Sequence, residues 1–138
     1  MSAPGTVEVG TELPGLAVHL TRETLVRYAG ASTDFNAIHY SDFYAARLGL
    51  PSVIAHGMLT MGTALRIVTD WVGDPGRVTS YSARFTRPVA VPDTADGALV
   101  EIRGRVTKVD GGVATVIIDA VCDGVKLLGS ATAEVSLD

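Results

Sequence analysis

Three residues in the stretch Tyr28-Ala-Gly-Ala-Ser-Thr-Asp-Phe-Asn-Ala-Ile-His39 carry side chains suited to proton transfer or to its support: Asp34, Asn36 and His39. A carboxylate and an imidazole at this spacing can converge on one water or hydroxyl if the chain between them curls. Imidazole is the side chain whose ordinary pKa lets it both take and give a proton near neutrality. Asn36 is suited to holding the curl, because its side chain can close a turn onto its own backbone. Read alone, the same residues allow a plainer account, with Asp34 capping a turn and His39 a satisfied polar residue at a helix entry. Asp34, His39 and His56 match no standard metal-ligand spacing, so no metal is expected.

A second stretch, Ile54-Ala-His-Gly-Met-Leu59, places Gly57 at the start of an apolar helix. The first N–H groups of a helix have no internal partner and lie at the positive end of its dipole. A carbonyl oxygen that gains negative charge during reaction is stabilised there, by roughly 3 kcal/mol for one well-aimed donor. Gly57 has no side chain to hold a substrate off, although a glycine here also serves plain close packing. His56 is expected to be structural, bonding to neighbouring backbone. No role is assigned to His19, nor to Cys122 beyond that of a small buried hydrophobe.

These groups need elements to place them. Thr21 to Ala31 reads as a helix with Thr21 as N-cap, Glu23 in its first turn and Gly30 placed to end it. Ser32 to Tyr40 has no period and reads as a polar loop. A short helix follows over Phe43–Arg47, started by Ser41 and Asp42 and stopped by Gly49 and Pro51. Gly57 to Trp71 is apolar around most of its circumference, which predicts a helix nearly wholly buried by other structure. After the turn Gly73-Asp-Pro-Gly76, alternation predicts strands over residues 78–87, 98–109, 113–122 and 125–135, with hairpin turns at Asp110-Gly-Gly and Asp123-Gly. The pattern predicts an α+β domain in which an antiparallel sheet curls around one long helix.

The composition sets outer bounds. At 138 residues the chain is read as a single domain, 1–138; 47% hydrophobic and 19% charged residues describe a globular protein. A net charge of −4 argues against nucleic acid as a partner. An anionic carrier could still meet a local basic spot from Arg66, Arg77, Arg84 and Arg87, though scattered solvated charges explain them equally. One cysteine cannot form an internal disulfide, and neither a secretory leader nor a membrane span is read, so a cytoplasmic location is expected.

Taken together, Asp34-Phe-Asn-Ala-Ile-His39 preceded by Tyr28-Ala-Gly, and Ile54-Ala-His-Gly-Met-Leu59 ahead of the long helix, resemble the MaoC-like (R)-specific enoyl-thioester hydratases and dehydratases. Within that family the chain is similar to the catalytic B subunits of actinobacterial (3R)-hydroxyacyl-carrier-protein dehydratases, through His56–Gly62, Trp71–Gly76 and Arg84-Phe-Thr86. The resemblance implies a hotdog fold, with Asp34 and His39 as the catalytic pair, Asn36 and Tyr28 supporting their loop, and the Gly57 N–H polarising a thioester carbonyl. It implies reversible dehydration of (3R)-hydroxyacyl thioesters, carried on acyl carrier protein or coenzyme A, to trans-2-enoyl thioesters in fatty-acid or polyketide assembly. Hydration for β-oxidation or polyhydroxyalkanoate supply, or a subunit active only beside a partner chain, are the alternatives. No cofactor is implied. The expected assembly is a pair of hotdogs, either two copies or this chain with a second hotdog subunit. Met58, Met61, Leu65 and Trp71 are expected along the acyl tunnel. The chain departs from the family pattern at Thr33, where Gly is usual, and at Ala37, where Pro is usual.

Overall fold

The computed structural model describes residues 6–138; the opening residues, on which the reading of no secretory leader partly rests, lie outside them. A short strand, β1 (Leu16–Leu20), runs into helix α1 (Arg22–Ser32). Thr21 caps α1 reciprocally: its hydroxyl accepts from the Thr24 N–H at 3.2 Å, and the Thr24 hydroxyl accepts from the Thr21 N–H at 3.1 Å. Gly30 does not end the helix as expected. Thr33 does, by taking a left-handed φ of 63° while its N–H reaches the Ala29 carbonyl. The segment read as a formless loop then holds a single 3-10 turn, Ala37–His39, before helix α2 (Asp42–Arg47). Ser41 caps α2 by accepting from the Tyr44 N–H.

Helix α3 (Gly57–Val72) ends on Gly73, whose φ of 77° suits its lack of a side chain. Strands β2 (Val78–Phe85), β3 (Ala98–Asp110), β4 (Val113–Cys122), β5 (Val125–Lys126) and β6 (Leu128–Ser136) complete the chain. The sheet is antiparallel with order β1-β3-β4-β6-β2, and β5 pairs with β4. The last expected strand is therefore split. Leu127 keeps the β5 register through its N–H to the Ala120 carbonyl, and the pairing with β4 then shifts by two residues across residues 128–131, where Ser130 takes a positive φ of 50°. β2 also pairs with β6 and not with the strand that follows it, because residues 86–97 carry the chain to the far side of the sheet.

One face of β3 is buried in alternation as far as Val106 and β4 follows the same pattern, whereas β2 and β6 interrupt it. In β3, Ala98, Val100, Ile102 and Val106 point inward, while Leu99, Glu101, Arg103 and Arg105 point out. The inward set meets Ala64, Ile67, Val68 and Trp71 of α3 in one core. The sheet covers only one side of α3. Met58, Gly62, Arg66 and Asp70, one helical repeat apart, form an exposed stripe along its opposite side. The expectation of a helix hidden nearly all round is corrected accordingly. Among the described residues, no helix is long and apolar enough to cross a membrane.

Candidate active site

The curl between Asp34 and His39 is built from side chains closing on the backbone. The Asp34 N–H donates to the Ser32 hydroxyl at 3.1 Å, and Asp34 Oδ1 accepts from the Asn36 N–H at 3.2 Å. Asn36 Oδ1 then accepts from the Ile38 N–H at 3.2 Å and caps the 3-10 turn. Asn36 thus holds the turn in the way its side chain allows, and the turn forms with Ala37 at its start although the usual proline is missing. The turn delivers His39, 8% exposed, against the segment Val53–Ala55.

That segment is itself pinned. The Ile54 N–H donates to the Ile38 carbonyl, the Ala55 N–H to Val89 and the Val91 N–H to Val53. His39 Nδ1 lies 2.8 Å from the Ile54 carbonyl. A carbonyl only accepts, so Nδ1 carries the hydrogen and Nε2 carries the lone pair of the neutral ring. Nε2 stands 3.8 Å from Asp34 Oδ2, whose side chain is 50% exposed. That gap is too long for a direct hydrogen bond. One oxygen can, however, lie about 2.8 Å from both atoms at once, so a water or a substrate hydroxyl fits the pair.

His56 lies behind His39. It is 1% exposed, its Nε2 donates to the Asp34 main-chain carbonyl at 3.2 Å, and its ring stacks on His39 with centroids 3.8 Å apart and planes 22° apart. Burial pushes its pKa down, partly offset by the Asp34 carbonyl, which favours the neutral ring. Tyr28 touches His56 edge-on at 4.7 Å, so it braces the loop at one remove through His56.

Donor atoms of Asp34, His39 and His56 lie within 4.8 Å of one another. The stacked rings nonetheless suit a metal poorly. Each lone pair lies in its own ring plane, and two nearly parallel planes do not meet at about 2.1 Å from both nitrogens, as zinc would require.

Gly57 opens α3 directly after His56, and no side chain caps that end. Its first amides therefore face outward with the dipole behind them. A cavity of ≈ 350 Å³ joins this helix start to His39; Ile54, Thr60, Phe85, Pro88, Val89 and Leu127 line much of the rest. Its volume falls within the usual range for small-ligand sites. The Phe85 ring stands over Gly57, 3.2–3.4 Å from where a β-carbon would be, yet Phe85 is 55% exposed. A larger hollow of ≈ 560 Å³ lies over β3 and the Glu12–Ala17 segment, and none of the chemistry-bearing residues lines it.

The residues expected along a tunnel are not brought together here. None of Met58, Met61, Leu65 and Trp71 lines the cavity. Met58 is exposed on the open stripe, Met61 and Leu65 are half-buried, and Trp71 is in the core. They share a helix, but its twist turns them away from His39, and β2 with the residues after it supplies the wall. Arg-Phe-Thr ahead of Pro88 was the available signal. Of the four arginines considered as a basic spot, only Arg87 lines the cavity; Arg77 donates to the Leu137 carbonyl, Arg84 to the Ser130 hydroxyl, and Arg66 is on the open stripe. Cys122 is half-buried, with its thiol pKa pushed up by burial and by Asp123, which suits packing and not attack. His19 only ties β1 to the Asp96 carbonyl.

Sequence pattern gave Asp42 only as part of a helix start and did not single out Arg22. Asp42 Oδ1 accepts from the Val53 N–H at 2.9 Å and from the Arg22 guanidinium at 3.0 Å, and Arg22 Nε donates to the Val91 carbonyl. The Val53 amide first, then Arg22, hold the Asp42 carboxyl below its ordinary value. These bonds fasten α1, α2 and the two segments beside the cavity to each other. These bonds carry no local signature, because each partner is distant in sequence.

Comparisons with known proteins place the chain in a family. Residues 6–121 match the family described as the MaoC like domain. The chain is 38% identical over 82 residues to 3-hydroxyacyl-thioester dehydratase X of Mycobacterium tuberculosis, covering 59% of this chain and 28% of the relative. It is 31% identical over 108 residues to the 3-oxo-4,17-pregnadiene-20-carboxyl-CoA hydratase beta subunit of the same organism, covering 78% of this chain and 80% of that one. A solved structure titled MaoC-like dehydratase superposes with a TM-score of 0.91 at 42% identity, over 96% of this chain and 41% of the other. The chain thus spans well under half of the first relative and of that structure's chain. With the sheet, the long helix and most of the sequence matched, the chain belongs to the MaoC-like family and has its hotdog fold.

Proposed function

We propose that this protein reversibly dehydrates (3R)-hydroxyacyl thioesters to trans-2-enoyl thioesters. The observation that carries the reading is the placement of two unlike groups on one cavity: His39, whose Nε2 stands 3.8 Å from Asp34 Oδ2, and the uncapped start of α3 at Gly57. The Gly57 N–H receives the thioester carbonyl, which lowers the cost of negative charge on its oxygen as the α-proton leaves. His39 Nε2, the nitrogen left without a hydrogen in the neutral tautomer that the Ile54 carbonyl selects, takes that proton. The electron pair forms the Cα=Cβ bond as the Cβ–O bond breaks. The departing hydroxide takes a proton from the Asp34–His39 pair and leaves as water, so the pair returns to its starting protonation. In reverse, the pair holds the water that attacks Cβ.

The carrier is coenzyme A or acyl carrier protein, and fatty-acid or polyketide assembly is the setting we favour. A second hotdog chain, identical or different, is the proposed partner. β2 pairs on one side only, leaving an open sheet edge, and α3 carries the exposed stripe of Met58, Gly62, Arg66 and Asp70. A curated relative being a beta subunit supports the heteromeric form.

The test is to incubate the purified chain with crotonyl thioesters on each carrier and to resolve the product by chiral chromatography. Loss of the enoyl absorbance with formation of the (3R)-hydroxy product is expected. A (3S) product, or release of free thiol as a thioesterase would give, contradicts the reading. The form active only with a partner predicts that the lone chain is idle and gains turnover on adding a second hotdog subunit.

A further inference from the structure

His56 joins the parts of the site in a way that the pair alone does not. It is buried, and its polar and aromatic partners all belong to the site. Its Nε2–H holds the main-chain carbonyl of Asp34, its face covers the face of His39, its edge meets Tyr28, and its own backbone is the N-cap of α3 next to Gly57. Its Nδ1 has no partner and is inaccessible, so the ring is not there for a second hydrogen bond. A residue kept only for packing at this position would be satisfied by a hydrocarbon side chain, with no unpaired nitrogen left inside. What the imidazole adds is a flat face and one in-plane donor, directed at the two members of the pair separately.

We infer that His56 is a positioning residue for the reaction: it fixes the direction of the His39 lone pair by stacking and the place of the Asp34 carboxylate by holding its backbone. This rests on the reading of Asp34 and His39 as the reacting pair. His39 has only one hydrogen bond of its own, Nδ1 to Ile54, which leaves the ring free to rock about that bond. The stack at 3.8 Å removes that freedom. Asp34 is on an exposed loop, and its main-chain bond to His56 ties that loop to the start of α3. His56 being neutral adds no repulsion when His39 becomes imidazolium. The two tasks use different features of one ring, so they separate by substitution.

His56→Phe keeps a flat ring for His39 and loses the donor to Asp34. His56→Gln keeps an amide donor within reach of the Asp34 carbonyl and loses the stack. His56→Ala loses both. Each is measured for kcat and KM with crotonyl-CoA, with Asp34→Asn and His39→Ala beside them, and for its melting temperature. The expected result is a fall in kcat of about 10²-fold or more for His56→Ala, with KM changed less than about twofold because the Gly57 amide and the cavity wall remain. His56→Phe and His56→Gln should each recover part of that loss. The His39 ring protons should lose their upfield ring-current displacement in the NMR spectrum of the Gln variant and keep it in the Phe variant. If His56→Ala is unfolded, the Phe and Gln variants decide alone. Folded Phe and Gln variants with kcat within about twofold of the parent overturn the inference, as does a loss carried entirely by KM. Should Asp34→Asn and His39→Ala themselves stay active, the pair assignment fails instead, which is a different result.

Discussion

Asp34 and His39 are held very differently, and the difference suits what each is asked to do. His39 is buried, with Nδ1 committed to a backbone carbonyl, so its free nitrogen has one fixed direction. Asp34 is half-exposed, with Oδ1 spent on the Asn36 amide and Oδ2 left for the shared oxygen. Directly before it, Thr33 takes a left-handed φ of 63°, a conformation that a β-branched residue adopts only under constraint. Replacing Thr33 by Gly relieves it, and the variant should gain about 1 kcal/mol in a urea titration while keeping its turnover. An unchanged or lower midpoint would mean that the backbone there is not strained.

At the scale of elements, α1, α2, α3 and the long strands could be read from capping residues, apolar period and alternation, because those signals are local. Asp34, Asn36, His39 and Gly57 were legible for a similar reason: loop chemistry and a helix start need no knowledge of distant neighbours. What escaped was set by pairing at long range. β2 joins β6 at the sheet edge, the last strand shifts its register against β4 between β5 and β6, and Arg22 meets Asp42 across the fold. The cavity wall escaped likewise, since Phe85 covers Gly57 only because residues 85–89 come to rest beside the start of α3. Phe85 is half-exposed on one side and against Gly57 on the other, so it narrows the space where an acyl chain would enter. Phe85→Ala should therefore raise kcat/KM for longer acyl thioesters relative to crotonyl by at least about tenfold, the scale at which pockets discriminate methylenes. Equal effects on short and long substrates would remove Phe85 from the acyl path.

For the whole molecule, one sheet, one core and one long helix act as a unit, and Tyr81 links two of them: its hydroxyl donates to the Met61 carbonyl of α3 at 2.7 Å. Burial pushes its pKa from 10.0 up to about 12. The unfolded chain gives up this proton first, so between those values the folded state binds more protons and stability falls as pH rises. Denaturation midpoints followed across that window should decline in the parent and decline less in Tyr81→Phe; parallel curves would show that Tyr81 is not the cause. The same unity means that the reaction can be examined only in the intact fold, with both half-sites present. The most direct test is the rate of crotonyl-thioester hydration by Asp34→Asn and by His39→Ala, each shown folded by its circular dichroism. Each should lose between about 10²- and 10⁴-fold in kcat, and the double variant should lose little more than the worse single one, because the two act on one oxygen. Near-parental turnover in either folded variant, or losses that multiply in the double, would contradict the assignment of Asp34 and His39 as one catalytic pair.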